Sequence, residues 1–209
     1  MVDIELYGGT RGFLEHIRAR ALYALGAYGN MRDVEWVHIK RLAFVCRGNI
    51  CRSPYACARA RSLGIRAVSF GLDAVDGTPA NPVASKNALS RGIDLSMHRS
   101  ARMEAMRLAD GDLVIVFEPA QFAEVRRRFG DRPLSGLLGI WSRPNRPHIQ
   151  DPYGLSDRYF QKCFSVIDAN IAELVERMTS GGSPATIGEP SRIPHENVVH
   201  GNVCDRTLA

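Results

Sequence analysis

Four short, largely apolar runs recur along the chain: LAFV at 42–45, AVSF at 67–70, LVIVF at 113–117 and LLGIW at 137–141. Continuous rather than alternating apolarity means that both faces of each strand are covered, as when parallel strands lie between layers of helix. The intervening stretches carry helix punctuation. Asn81 and Pro82 have the character of an N-cap and a first-turn residue, and Gly92 that of a stop, which predicts a helix between them. Ser156 with Asp157 opens another helix, in which Tyr159, Phe160, Cys163, Phe164, Ile167, Ile171, Leu174, Val175 and Met178 recur at spacings of three and four. Alternating strands and helices predict a doubly wound α/β fold, a four-stranded parallel sheet with flanking helices.

A chain of 209 residues with 45% hydrophobic content can bury one good core. The core domain is assigned to 41–179. Residues 1–40 form an N-terminal extension with a helix over roughly 11–28, whose Phe13, Leu14, Ile17, Ala21, Leu22 and Leu25 make an apolar stripe expected to pack on the domain. Residues 180–209 open with SGGSP and lack periodicity, so a mobile tail is expected, its His195, His200 and Cys204 read as unliganded rather than as a metal site.

The net charge of +5 points weakly toward anionic partners, but all but three of the 27 basic residues are arginines scattered along the chain, which is no nucleic-acid footprint. The run Arg126, Arg127 and Arg128 reads as dipole partners at a helix end. Five cysteines, odd in number and irregular in spacing, predict reduced thiols. No apolar stretch approaches eighteen residues and no leader pattern opens the chain, so a cytoplasmic protein without a membrane span is expected.

After the first apolar run comes VCRGNICRSPYA, 45–56. Strand, loop, then helix presents backbone N–H groups and the positive end of a helix to an anion, with Arg47, Gly48, Asn49, Ile50, Cys51 and Arg52 forming a phosphate-binding loop. Cys46 ends the strand at the base of this positive cup, where a thiolate nucleophile is favoured. Arg52 can curl back so that its planar fork grips two phosphoryl oxygens. Ser53 can donate its hydroxyl to the sulfur, and Pro54 starts the helix without wasting an N–H.

The string VCRGNICRSP resembles the signature loop of the low-molecular-weight protein tyrosine phosphatases, and the resemblance runs over about 40–178: GIDLSMH at 92–98 is similar to a family segment, and Asp151-Pro152-Tyr153 to its general-acid loop. The resemblance implies hydrolysis of phosphotyrosine through a phosphocysteine on Cys46. It implies Asp151 as general acid and base, a scaffold of Asn49, Ser69 and His98, and Tyr153 as substrate wall, with no metal or other cofactor. Independently, a departing oxygen needs a proton, and a carboxyl such as that of Asp151 suits the task. Cys51 is placed to form a reversible disulfide with Cys46. The implied partner is a phosphotyrosine protein, a bacterial tyrosine kinase being one candidate; the oligomeric state is not legible.

The chain departs from the family's pattern in several places. Ser69-Phe70-Gly71-Leu72 replaces a frequent Ser-Ala-Gly-Thr, Ala74 stands where some relatives carry an aromatic wall, only Tyr153 precedes Gly154 where some have two aromatics, and Glu118 replaces a frequent aspartate. Arg47 is expected either to attract acidic flanking sequence or to be solvated. Thioredoxin-coupled arsenate reductases share a related loop but add redox cysteines near the third strand, whereas no cysteine lies between Cys57 and Cys163 here. Protein arginine phosphatases carry threonine where Ile50 stands. A non-catalytic phosphoprotein-binding module, docking through the first 40 residues, is the remaining alternative, and the joint presence of Cys46, Arg52 and Asp151 counts against it.

Overall fold

The computed structural model describes residues 2–31, 33–131 and 134–180, so the tail, with His195, His200 and Cys204, lies outside the described residues. The first three apolar runs are parallel strands: β1 (Arg41–Cys46), β2 (Ala67–Gly71) and β3 (Asp112–Val116). β1 lies between the other two, and Leu42, Ala43, Phe44 and Val45 are completely buried. Burial of the larger of these side chains contributes roughly 1.5–3 kcal/mol each, which explains the absence of polar residues from the run.

The fourth run behaves differently from expectation. The strand β4 is Ser135–Leu137, and Leu138–Ile140 continue as a 3-10 turn. A side chain on Gly136 would meet the Trp141 ring at 2.6 Å, so that ring folds back over the strand end and the chain turns away.

The sheet order is β2-β1-β3-β4. The chain winds outward from the β1–β3 pair in both directions, and right-handed crossovers in opposite directions leave a crevice between the carboxyl ends of those two strands. α2 (Arg52–Ser62) follows β1, and α4 (Pro119–Phe129) follows β3. Between them, α3 (Pro82–Leu89) is capped as expected by Asn81, whose side chain accepts from the N–H groups of Val83 and Ala84. α5 (Asp157–Thr179) is capped by Ser156 and buries Phe160, Cys163, Phe164, Ile167, Ile171 and Leu174. The Tyr55 ring of α2 stacks on Phe164 of α5 at 3.8 Å, and its hydroxyl donates to Asp168 at 2.6 Å. The loop before α2 is therefore anchored from behind.

Upstream of the sheet, α1 spans Gly9–Ala24. Its apolar stripe packs only in part: Leu22 is half-buried against the core and Phe13 meets the Tyr7 ring edge to face, but Leu14, Ile17 and Leu25 are exposed, and the buried positions are Gly12, His16 and Ala19. The surface it meets is polar, so a narrow face of small and polar groups fits where leucine would not. Tyr28, Met31, Val34, Trp36 and Ile39 then join the main core, Trp36 meeting Trp141 edge to face at 5.2 Å. No described helix is long and apolar enough to cross a membrane.

Candidate active site

β1 ends in Cys46 and α2 begins at Arg52, so the five residues between must reverse the chain tightly. Asn49 does this in the left-handed region, with φ of +53°, which asparagine tolerates better than most residues. Its buried side chain then ties the loop together. Nδ2 donates to Ser53 Oγ at 2.8 Å and to Ser69 Oγ at 3.0 Å, Oδ1 accepts from Ala101 N at 2.9 Å, and its carbonyl lies 2.7 Å from His98 Nε2. The three residues read as a scaffold thus meet at one point.

Ser53 Oγ lies 3.0 Å from Cys46 Sγ and 3.2 Å from the Phe70 carbonyl. Because the Asn49 amide already donates to this oxygen, the hydroxyl proton has two acceptors, the sulfur and a carbonyl. The outer side of the loop leans on the end of β2: Leu72 N donates to Cys46 O and Asp73 N to Arg47 O, both at 2.9 Å. Only glycine allows this approach, since a Cβ on Gly71 would sit 2.7 Å from Arg47 O and 2.9 Å from Asn49 N.

Arg52, 1% exposed, is held by carboxylates. Nη1 pairs with Glu118 and donates to the Ile149 carbonyl at 2.9 Å, while Nη2 meets Asp151 at 2.7 Å. Burial works against this charge, but Asp151, Glu118 and Cys46 more than offset it, and the arginine is held firmly protonated. A buried guanidinium requires counter-charge, and two carboxylates occupy the ends of its fork. Nε is buried with no hydrogen-bond partner among the described residues.

Cys46, Arg47, Gly48, Ile50, Cys51, Asp151 and Tyr153 line one cleft of about 210 Å³. Cys46 and Cys51 are free thiols, and burial, followed by the charges of Asp151 and Cys46, pushes the Cys51 thiol up, keeping it protonated. Burial likewise lifts Cys163 to about 12, so this sulfur is no second nucleophile. Among the described residues no group of side chains could hold a metal.

A family model described as low molecular weight phosphotyrosine protein phosphatase matches residues 41–183. The chain belongs to this family. It is 32% identical over 146 residues to the probable low molecular weight protein-tyrosine-phosphatase EpsP of Ralstonia nicotianae, covering 69% of this chain and 99% of that protein. Etp of Escherichia coli K12 is 28% identical, with 65% and 92% covered. Among solved structures, the Erwinia amylovora tyrosine phosphatase AmsI matches with a TM-score of 0.59 at 28% identity, covering 66% of this chain and 92% of that one. The YwlE arginine phosphatase of Geobacillus stearothermophilus shares the fold with a TM-score of 0.62 at 24% identity, covering 68% and 94%. The chain is a phosphatase enzyme of this type, and the match begins where the sheet begins.

Against this family frame, three expectations change. Ala74 is buried and outside the cleft, so that position supplies no wall; Tyr153, 62% exposed, does line it. Arg47 is solvent-exposed but not free: its Nη1 pairs with Asp73 at 2.6 Å. Arg128 is more than a dipole partner, because it bonds the Leu72 carbonyl at 2.6 Å and Asp73 at 2.9 Å, fixing that same turn. Glu118 was visible in the sequence only as a departure. The signal that would have found it is a carboxylate placed just after β3, at the crevice, opposite a buried arginine.

Proposed function

We propose that the enzyme hydrolyses phosphotyrosine in proteins through a covalent phosphocysteine. The observation that carries this reading is the shared cleft of Cys46 and Asp151 above a loop whose buried Arg52 keeps one N–H, that of Nε, without a partner among the described residues. In the first half-reaction the Cys46 thiolate attacks phosphorus, the S–P bond forms, the P–O bond to the phenol breaks, and Asp151 gives its proton to the departing oxygen. In the second, water attacks phosphorus while Asp151 takes its proton, the S–P bond breaks, and inorganic phosphate and the thiolate are released. Arg52 Nε and the loop N–H groups stabilise the charge on the transferring group. Ser53, with its proton turned to the sulfur, stabilises the thiolate as attacker and as leaving group.

Ile50 and Tyr153 on the cleft rim favour a flat aromatic ring over a guanidinium. The arginine phosphatase likeness is one of fold, and Ile50 is the residue that argues against that substrate. The test is purified enzyme on phosphotyrosine, phosphoserine and phosphoarginine peptides. Phosphotyrosine turnover should dominate, vanish in Cys46→Ser and fall roughly 10²- to 10⁴-fold in Asp151→Ala. Preference for phosphoarginine, or equal rates for wild type and Cys46→Ser, refutes it.

A further inference from the structure

The segment that carries Asp151 is gripped by residues that the family match leaves out. It runs from Arg146 to Arg158, between the turn after β4 and the first turn of α5, and the N-terminal chain holds it in three places. At its start, Arg146 Nη2 donates to the Leu6 carbonyl at 2.9 Å while the guanidinium covers the Tyr7 ring at 4.7 Å. In its middle, Gly8 sits against the residue before Asp151. A Cβ on Gly8 would lie 2.7 Å from Gln150 Cγ, 3.1 Å from Leu155 and 3.2 Å from the Tyr159 ring. At its end, Glu5 accepts from the Ser156 hydroxyl at 2.8 Å and pairs with Arg158 at 2.6 Å, and Asp3 pairs with the same arginine at 2.6 Å.

These contacts have a direction. The Ser156 hydroxyl must offer a lone pair to Tyr159 N to cap α5, and its proton goes to Glu5, so the carboxylate fixes the cap. Tyr159 in turn donates from its hydroxyl to the Gln150 carbonyl at 3.2 Å, one peptide away from Asp151. Among the described residues, Asp151 itself contributes only an Arg52 contact and a 3.3 Å bond from Tyr153 N to its own placement. The exposed ion pairs are individually weak, whereas the close packing at Gly8 is not replaceable by a larger residue.

We propose that residues 3–12 are a brace that sets the position of Asp151, making Glu5 and Gly8 positioning residues for proton transfer. The inference rests on the phosphatase reading above. The brace acts on the proton donor and not on the phosphate loop, so its loss is felt in proportion to how badly the leaving group needs a proton. A misplacement of about 1 Å in such a group can cost as much as 10²-fold.

The test uses the full-length chain and two substrates: phenyl phosphate, whose leaving group requires the proton, and 4-nitrophenyl phosphate, whose leaving group departs readily as an anion. Gly8→Val should lower kcat/KM about tenfold, and Glu5→Ala about threefold, on phenyl phosphate. Both variants should keep kcat/KM on 4-nitrophenyl phosphate, which reports only the steps up to departure of the phenolate and not the later hydrolysis in which Asp151 is the base, and inhibition by inorganic phosphate within about twofold of wild type. In an Asp151→Asn background, Gly8→Val should cause no further loss, because the two changes act through one group. Equal losses on both substrates, a loss that persists without Asp151, or wild-type behaviour in both variants overturns the brace. Glu5→Ala touches only surface groups and keeps the test sound should Gly8→Val fold poorly. A wild type inactive on both substrates overturns the phosphatase reading itself, before any variant is compared.

Discussion

Replacing Asn49 separates the two tasks this residue performs. The side chain is fully buried and makes three hydrogen bonds, donating to Ser53 and Ser69 and accepting from the Ala101 N–H. Removing them in Asn49→Ala costs about 1 kcal/mol for each bond, and the part-buried Ala101 N–H, left unpaired, pushes that bond toward the upper end. Alanine at φ +53° adds on the order of 1 kcal/mol of backbone strain. The sum is roughly 3–5 kcal/mol, read from urea midpoints at constant slope. Asn49→Gly removes the same bonds without the strain and should be about 1 kcal/mol less destabilised. Asn49→Asp keeps the acceptor for Ala101 N but loses both donors and sets a carboxylate one hydroxyl away from Cys46. It should therefore fall furthest in aryl phosphate turnover relative to its stability. Destabilisation of Asn49→Ala below about 1 kcal/mol would refute the scaffold, and Asn49→Asp activity matching wild type would refute the link from this amide through Ser53 to the sulfur.

Glu118→Gln removes one of the two carboxylates on Arg52 and should destabilise the fold by about 1–3 kcal/mol. Because Arg52 then keeps one carboxylate, Asp151, beside the Ile149 carbonyl, inhibition by inorganic phosphate should weaken; an unchanged inhibition constant would show that Glu118 does not set the arginine. His16 supplies the pH dependence. Burial first, then the charges of Arg146, Arg20 and His148, hold its pKa down at about 4 from an ordinary 6.5, and the Tyr7 ring packs against it. The unfolded chain therefore binds the extra proton between those values, so stability is lost as pH falls from 6.5 towards 4, by at most about 3 kcal/mol. The wild-type urea midpoint should drop faster over this range than that of His16→Gln, and parallel slopes would sink the assignment.

The parts of this molecule legible in the sequence are those whose bonds close over a few residues. Cys46 to Ser53 and Asn49 to Ser53 are contacts of seven and four positions, so one string of residues encodes the cup almost completely. The same holds for the Asn81 and Ser156 caps. What stayed hidden depends on groups distant along the chain. Glu118 reaches Arg52 from 66 residues away, and Glu5 reaches Ser156 from 151. Periodicity also misleads where the covering surface is polar. The apolar stripe of α1 reads as an inward face only on the assumption that its partner is oil-like. The buried positions of α1 instead meet the Gln150 side chain and the Tyr7 ring, and a glycine and a histidine pack there where leucine would not. The fourth strand fails for a related reason, since composition alone does not reveal that Trp141 will fold back onto Gly136. Local chemistry thus shapes the cup, while the contacts that place Asp151, the proposed proton donor, are distributed across the first and last quarters of the described chain. On the proposed brace, a variant outside the signature loop disables proton transfer while leaving anion binding intact.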